Sequence, residues 1–324
     1  MGTPPPDKGL ISRRDFLRLG LGGATVTLFL PASACSGGSS PPDDRPALLW
    51  IETGVCTGCA CALLGSPAPT AETLLASLCL DYQETLMEGW GSSAMDTLLA
   101  SAASHANRYL LVVDGAIPTG PNSRMTTLGT DSASVEYSAE GLVTRLAAQA
   151  AFVVALGTCA SFGGIPGSAP GIAIHASVAQ VIAHVPIRIP GCPPNPAWIT
   201  STLQALMRGE TIELDKLGRP IHAFGTTVHG LCPRLDRFRA ADFASAPGDE
   251  KRCLCRVGCK GMQARGDCPS RLWQGRSYCI KANHPCIGCT SPGFLDARAT
   301  VDGQDMQGEG LPTTPFYLKG ESLP

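Results

Sequence analysis

Fifteen cysteines in 324 residues, eight of them crowded between Cys232 and Cys289, constrain this chain more than any other feature. An odd count that is bunched rather than spread does not read as a disulfide framework. The choices left are metal ligands and buried thiols. Four of the remaining cysteines stand in glycine-rich contexts: V-C-T-G-C at 55–59, G-T-C-A-S-F-G-G at 157–164 and P-G-C-P-P-N-P at 190–196 supply Cys56, Cys59, Cys159 and Cys192.

Each context follows a strand-like run. L-L-W-I-E (48–52), Y-L-L-V-V-D (109–114), F-V-V-A-L (152–156) and V-P-I-R-I (185–189) read as strands. Helical spacing fills A-E-T-L-L-A-S-L-C-L-D-Y-Q-E-T-L-M and the stretches near 141–149 and 196–208. The alternation predicts an α/β class, a mostly parallel sheet with covering helices. Ligands of such sheets bind beyond the carboxyl ends of the strands, so the four cysteine loops are expected to converge on one crevice. Gly58, Gly157, Gly163, Gly164 and Gly191 permit tight turns there, and Pro193 and Pro194 stiffen the last loop. By count alone, four thiolates suit a tetrahedral zinc ion or an iron-sulfur cube equally.

The N-terminus bears on that choice. Arg13 and Arg14 precede Phe16, Leu17 and an uncharged apolar run from Leu19 to Pro31. That run is short of the roughly 20 residues that cross a bilayer, so it reads as a twin-arginine export signal. Residues 1–34 form the expected signal peptide and 35–46 a flexible linker. Ordinary cleavage after Ala34 is expected, because Ala32 stands where lipoprotein signals carry a larger aliphatic; Cys35 is the position a lipid would otherwise take. The expected location is the periplasm, reached already folded, so thiols would meet metal before an oxidising compartment. No other apolar run spans a bilayer; attachment to a membrane would need a partner or a lipidated Cys35.

A formal net charge of -2 gives no reason to expect a nucleic-acid partner. Charge is uneven, however: His229 to Arg298 carries 12 Lys+Arg against 6 Asp+Glu. Compensation of anionic metal centres and an ordinary solvated surface both remain open as explanations.

Beyond about residue 225 the alternation stops and long apolar runs are few, so bound metal would supply much of the organising energy. W-I-E-T-G-V-C-T-G-C (50–59), D-G-A-I-P-T-G (114–120), G-T-C-A-S-F-G-G and P-G-C-P-P-N-P, followed by the pattern from His229 to Cys289, resemble the small subunit of nickel-iron hydrogenases. The resemblance runs from about Trp50 to Tyr317. It implies a flavodoxin-like domain over 47–225 that binds a proximal 4Fe-4S cluster through Cys56, Cys59, Cys159 and Cys192. It implies a smaller loop-rich domain over 226–324 with a distal 4Fe-4S cluster on His229, Cys232, Cys253 and Cys259. A medial cluster would use Cys268, Cys286 and Cys289. Many relatives have proline where this chain has Cys279, and hold a 3Fe-4S centre; a fourth thiol predicts a medial 4Fe-4S cluster on Cys268, Cys279, Cys286 and Cys289. The alternative is a free Cys279 beside a 3Fe-4S centre.

Two further departures from the family stand out. Oxygen-tolerant relatives place extra cysteines where this chain has Gly58 and Gly164, so an ordinary proximal cube is expected. Cys61 stands where relatives usually carry Ser-Glu, and it reads as a buried thiol, as do Cys79 and Cys255.

The resemblance also implies the reaction: reversible hydrogen oxidation at a nickel-iron centre in a large-subunit partner. This chain, with no catalytic residue of its own, would pass electrons through three clusters to a cytochrome or another redox carrier. Glu52 and Asp114, beside the proximal loops, are candidates for assisting proton movement. Two other readings compete with this one, an iron-sulfur subunit of a different exported oxidoreductase and an exported structural zinc protein.

Overall fold

In a strand, side chains alternate between the two faces with a period of two. The computed structural model describes residues 47–76, 79–120, 123, 126–167, 175–183, 185–292, 294, 300–301 and 304–305. The expected signal peptide, the linker and Cys35 lie outside the described residues. Five strands form one sheet: β1 (Ala47–Glu52), β2 (Cys79–Gln83), β3 (Leu110–Asp114), β4 (Phe152–Leu156) and β5 (Ile187–Ile189). Their order is β2-β1-β3-β4-β5, every pairing is parallel, and Glu52, Asp114 and Leu156 lie in register at one end. This is the flavodoxin-like order, whose loops converge at the carboxyl ends of the strands.

Alternation divides the core. Leu49, Ile51, Leu111, Val113, Val153 and Ala155 face one side. They pack there with Met95 and Leu98 of helix α2 (Gly91–Ser104) and Leu142 and Leu146 of α3 (Ala139–Ala147). Leu48, Trp50, Leu110, Val112, Val154 and Leu156 face the other. Their partners are Ala60 and Leu63 of α1 (Gly58–Leu64) and Trp198, Ile199, Leu203 and Leu206 of α5 (Pro196–Met207). Both faces are covered, which is why these strands read as nearly continuous apolar runs. Ser138 caps α3 by accepting from the Gly141 amide. Asn195 caps α5 the same way from Ala197, with Pro196 at its first position.

The stretch around Cys79 departs from the helical expectation. A short helix over Ala71–Ala76 gives way to edge strand β2, which pairs with β1 from Ala47↔Cys79 to Trp50↔Gln83. Asp81 and Gln83 hide the apolar alternation of this strand, and pairing along β1 overrides the local period.

The C-terminal stretch has only a small third cluster: Val228, Ala244, Leu254, Ala264, Ile280 and Cys286. Much of its remaining order is polar and bonds back to the sheet region. The Trp198 indole donates to Asp267 at 2.6 Å, and Asn195 Nδ2 to the Arg271 carbonyl at 2.7 Å. Arg219, paired with Asp215 at 2.7 Å, also reaches the Thr290 carbonyl.

Candidate metal centres

Three sets of donors emerge from this framework. Cys56 and Cys59 follow β1, with Cys59 on α1; Cys159 lies on α4 (Gly157–Phe162), directly after β4; Cys192 follows β5. Burial raises the pKa values of Cys59, Cys159 and Cys192, taking Cys159 to about 11. Charge repulsion among the thiols acts in the same direction, so the four sulfurs share one crevice. Deprotonated, such a set demands a compensating cation. Glycine makes room for the sulfurs: a Cβ on Gly157, at φ 79°, would lie 2.6 Å from Cys59 Sγ, and one on Gly164, at φ 53°, 2.7 Å from Cys159 Sγ.

A second set gathers Cys268, Cys279, Cys286 and Cys289. Cys279 interacts with each of the other three, so the fourth thiol faces the set instead of packing apart from it. Burial pushes Cys289 to about 12. The Ile287 amide donates to Cys279 and the Gly288 amide to Cys286, hydrogen bonds of the kind that stabilise cluster sulfurs.

The third set, His229, Cys232, Cys253 and Cys259, lines a pocket with Arg234, Leu254, Cys255, Gly261, Met262 and Ile280. The His229 pKa is lowered, first by burial and then by the Arg239 charge, which favours the neutral imidazole a metal needs. Phe238 packs edge-on against that ring at 4.7 Å between centroids.

The sets stand in a row. Cys289 interacts with Cys192 of the first, and Cys286 with Cys259 of the third. Among the described residues no three His, Cys, Asp or Glu converge closely enough to hold a single metal ion. Thiol-rich sets of this kind, with the glycine cradle that makes room for the sulfurs of the first, fit an iron-sulfur cluster held by thiolates.

Comparisons with known proteins bear on the site. Residues 224–301 match the family model for the C-terminal part of the NiFe/NiFeSe hydrogenase small subunit. Residues 56–206 match that of the NADH ubiquinone oxidoreductase 20 Kd subunit. The periplasmic [NiFe] hydrogenase small subunit 1 of Nitratidesulfovibrio vulgaris is 32% identical over 89% of this chain and 92% of its own length. The chain belongs to the nickel-iron hydrogenase small-subunit family. The quinone-reactive Ni/Fe-hydrogenase small chain of Wolinella succinogenes is 33% identical, over 91% of this chain and 84% of that protein. Among solved structures, a [NiFeSe]-hydrogenase of Dm. baculatum superposes with a TM-score of 0.73 at 32% identity, covering 79% of this chain and 97% of that one. The fold of this small subunit is thus the fold of its relatives.

Three cysteines depart from the buried-thiol expectation in this family member. Cys61 is exposed: on α1 the residues Cys59, Ala60, Ala62 and Leu63 turn inward, leaving Cys61 and Leu64 outside. Cys79 is buried but disulfide-bonded. Cys255 is half-buried and lines the third pocket as a fifth thiol or imidazole donor. The basic surplus divides between the two explanations left open. Arg234 and Lys260 are buried, at 8% and 2% exposure, whereas Arg237, Arg239 and Arg252 are exposed and paired with Asp242 or Asp236. The Arg234 guanidinium donates to the carbonyls of Asp249, Arg252 and Ile280 and to Asn283, and its charge favours the thiolate forms of Cys232 and Cys253.

Carboxylates also lie beside the first set, with a further one behind them. Asp114, at the end of β3, is fully buried, lacks a donor to either oxygen among the described residues and faces the Cys59 thiol. Burial raises it to about 7. Burial likewise raises Glu52, whose backbone amide donates to both Glu84 oxygens at 3.2 Å. Glu84, raised to about 7 by burial, is hidden in the sequence because it follows the strand that reads as helix.

Glu84 carries a pH-dependent cost. Below its ordinary value of 4.5 the carboxyl is protonated whether the chain is folded or not. Between 4.5 and about 7 only the unfolded chain ionises, so stability falls as pH rises. Glu84→Gln, which retains an acceptor for the Glu52 amide, is expected to raise stability by at most about 3 kcal/mol at pH 8 and to leave it unchanged at pH 4. Denaturation midpoints of both proteins at the two pH values check this, and an equal gain at both would refute it.

Proposed function

We propose that this chain is the electron relay of an exported, periplasmic heterodimeric hydrogenase. Hydrogen is oxidised reversibly at a nickel-iron centre in the large-subunit partner, and the chain links that centre to a cytochrome or another external redox carrier. The first set, Cys56, Cys59, Cys159 and Cys192, would hold the proximal 4Fe-4S cluster. Cys268, Cys279, Cys286 and Cys289 would hold a medial 4Fe-4S cluster, and His229, Cys232, Cys253 and Cys259 the distal one. Each cluster, when bound, accepts and releases one electron at a time. The residues of the chain fix the sulfurs, aim amides at them and exclude water, which together tune the potentials. The observation that carries the reading is the row of three four-donor sets, with the second set interacting with both others.

Glu52 and Asp114, with Glu84 behind them, would hold protons near the first set; burial raises all three, and the values of about 7 for Asp114 and Glu84 suit exchange near neutral pH. Among the described residues no helix is long and apolar enough to cross a membrane. The twin-arginine pattern at Arg13 and Arg14 supports export in the folded state.

The test is metal and sulfide analysis with electron paramagnetic resonance on the native heterodimer. About twelve iron atoms per chain are expected, four for each cube, together with hydrogen-dependent dye reduction by the complex. Zinc without iron would sink the proposal. The proximal site also has a consequence in air. With Gly58 and Gly164 where tolerant relatives carry cysteine, and with Gly164 too strained for a side chain, hydrogen oxidation is expected to cease on exposure to oxygen. Sustained turnover in air, followed by hydrogen consumption, would contradict that.

A further inference from the structure

At one junction between neighbouring sets, the backbone of one ligand addresses a sulfur of the next. The Cys286 amide, in the second set, donates to Cys259 Sγ of the third at 3.4 Å. Cys192 of the first set and Cys289 of the second also lie close enough for the charge of one to raise the other.

The two junctions are held differently. Between the second and third sets the backbone suffices, because Lys260, next to Cys259, donates its amide to the Cys286 carbonyl at 2.7 Å. Between the first and second sets a side chain does the holding. The Thr158 hydroxyl accepts from the Gly191 amide at 2.9 Å and donates to the Cys289 carbonyl, a residue 131 positions away. The Thr158 amide donates in turn to the Gly191 carbonyl at 3.0 Å. Thr158 is 1% exposed, so no water competes for these bonds. One hydroxyl therefore ties the peptide that leads into Cys192 to the Cys289 carbonyl.

We propose that Thr158 is a positioning residue for electron transfer: its hydroxyl clamps the Gly191–Cys192 segment against the Cys289 backbone, and so fixes how the proximal and medial ligand loops meet. The proposal rests on the cluster reading given above. Hydrogen bonding and burial around the sulfurs help set a cluster's potential, so holding the Cys289 backbone in place holds both the medial potential and the spacing of the two clusters. Removing the hydroxyl frees the Gly191 amide and the Cys289 carbonyl, and the two loops part.

Thr158→Val and Thr158→Ser in the native heterodimer separate this role from a structural one. For T158V we expect unchanged iron, unchanged hydrogen isotope exchange at the partner's nickel-iron centre, and several-fold slower hydrogen-dependent dye reduction. In a potentiometric resonance titration the medial reduction equilibrium shifts about tenfold, equivalent to about 59 mV for one electron. T158S, which keeps the hydroxyl, restores the potential. An unshifted medial potential in fully loaded T158V overturns the proposal, and so does an equal shift in T158S, because the hydroxyl would not be the cause. If T158V loses the medial iron, retention in T158S supports the clamp and loss in both overturns it. A wild-type heterodimer without three clusters would instead remove the reading underneath.

Discussion

Gly157→Ala is expected to strip the proximal iron and to lower hydrogen-dependent dye reduction on the order of 10–100-fold or more, the range seen when the surroundings of metal ligands are disturbed. Two causes add at this position. The residue sits at φ 79°, where a side chain costs roughly 1–2 kcal/mol. The new methyl would also lie 2.6 Å from Cys59 Sγ, a distance that real Cβ atoms essentially never show. Neither partner can retreat cheaply. Cys59 is fixed on α1, whose inner residues pack against the sheet, and Gly157 joins β4 to α4 with the Gly191 carbonyl only 3.7 Å from the same methyl. Gly209→Ala isolates the clash from the backbone cost, because Gly209 has φ 68° with nothing within 4 Å. The control should lose about 1–2 kcal/mol of stability and no iron. Full iron in G157A, measured per chain, would refute the steric argument.

The contrast between these glycines shows how much of the site the sequence carries. F-V-V-A-L and L-L-V-V-D are legible as strands because both faces of the sheet are covered, and the loops after them inherit their convergence from the parallel topology. Cys56, Cys59, Cys159 and Cys192 are therefore readable as one crevice from the sequence alone. Edge strand β2 is not, because Asp81 and Gln83 interrupt its apolar run and only pairing with β1 reveals it. Cys61 shows a smaller failure of the same kind: its exposure follows from which face of α1 packs inward, and C-T-G-C-A-C does not state that face.

The C-terminal sets are legible for another reason. No periodicity places His229, Cys232, Cys253 and Cys259 around one pocket; residue type and family pattern do, and packing contributes little because the third apolar cluster is small. Residues that act through hydrogen bonds fall outside both kinds of signal. Thr158 reaches Cys289 across 131 positions, and Glu84 meets the Glu52 amide across 32. Arg234 gathers acceptors from Asp249 to Asn283. Ser, Thr, Glu and Arg are common enough in loops that only the fold shows which of them meet.

Cys279→Ala is expected to convert the medial cluster from four irons to three. Cys279 interacts with Cys268, Cys286 and Cys289, and its sulfur receives the Ile287 amide, so the fourth corner of the set is both present and prepared for charge. Without that sulfur one iron has no protein ligand and is lost. The oxidised variant should show a strong 3Fe-4S resonance that the unaltered protein lacks, with about one iron fewer per chain. Removing an iron changes the net charge of the cluster, one of the factors that set its potential, so the medial step should move by more than the roughly 59 mV of a tenfold change. Cys255→Ala supplies the comparison. Its thiol also lines a pocket of donors and is raised by burial to about 11, but among the thiols its charge interaction is with Cys253 alone, and the third set already has four donors. That variant should keep its iron. If the unaltered protein already gave the 3Fe-4S signal, or if C279A and C255A behaved alike, Cys279 would be a spectator thiol and the medial site a three-sulfur one.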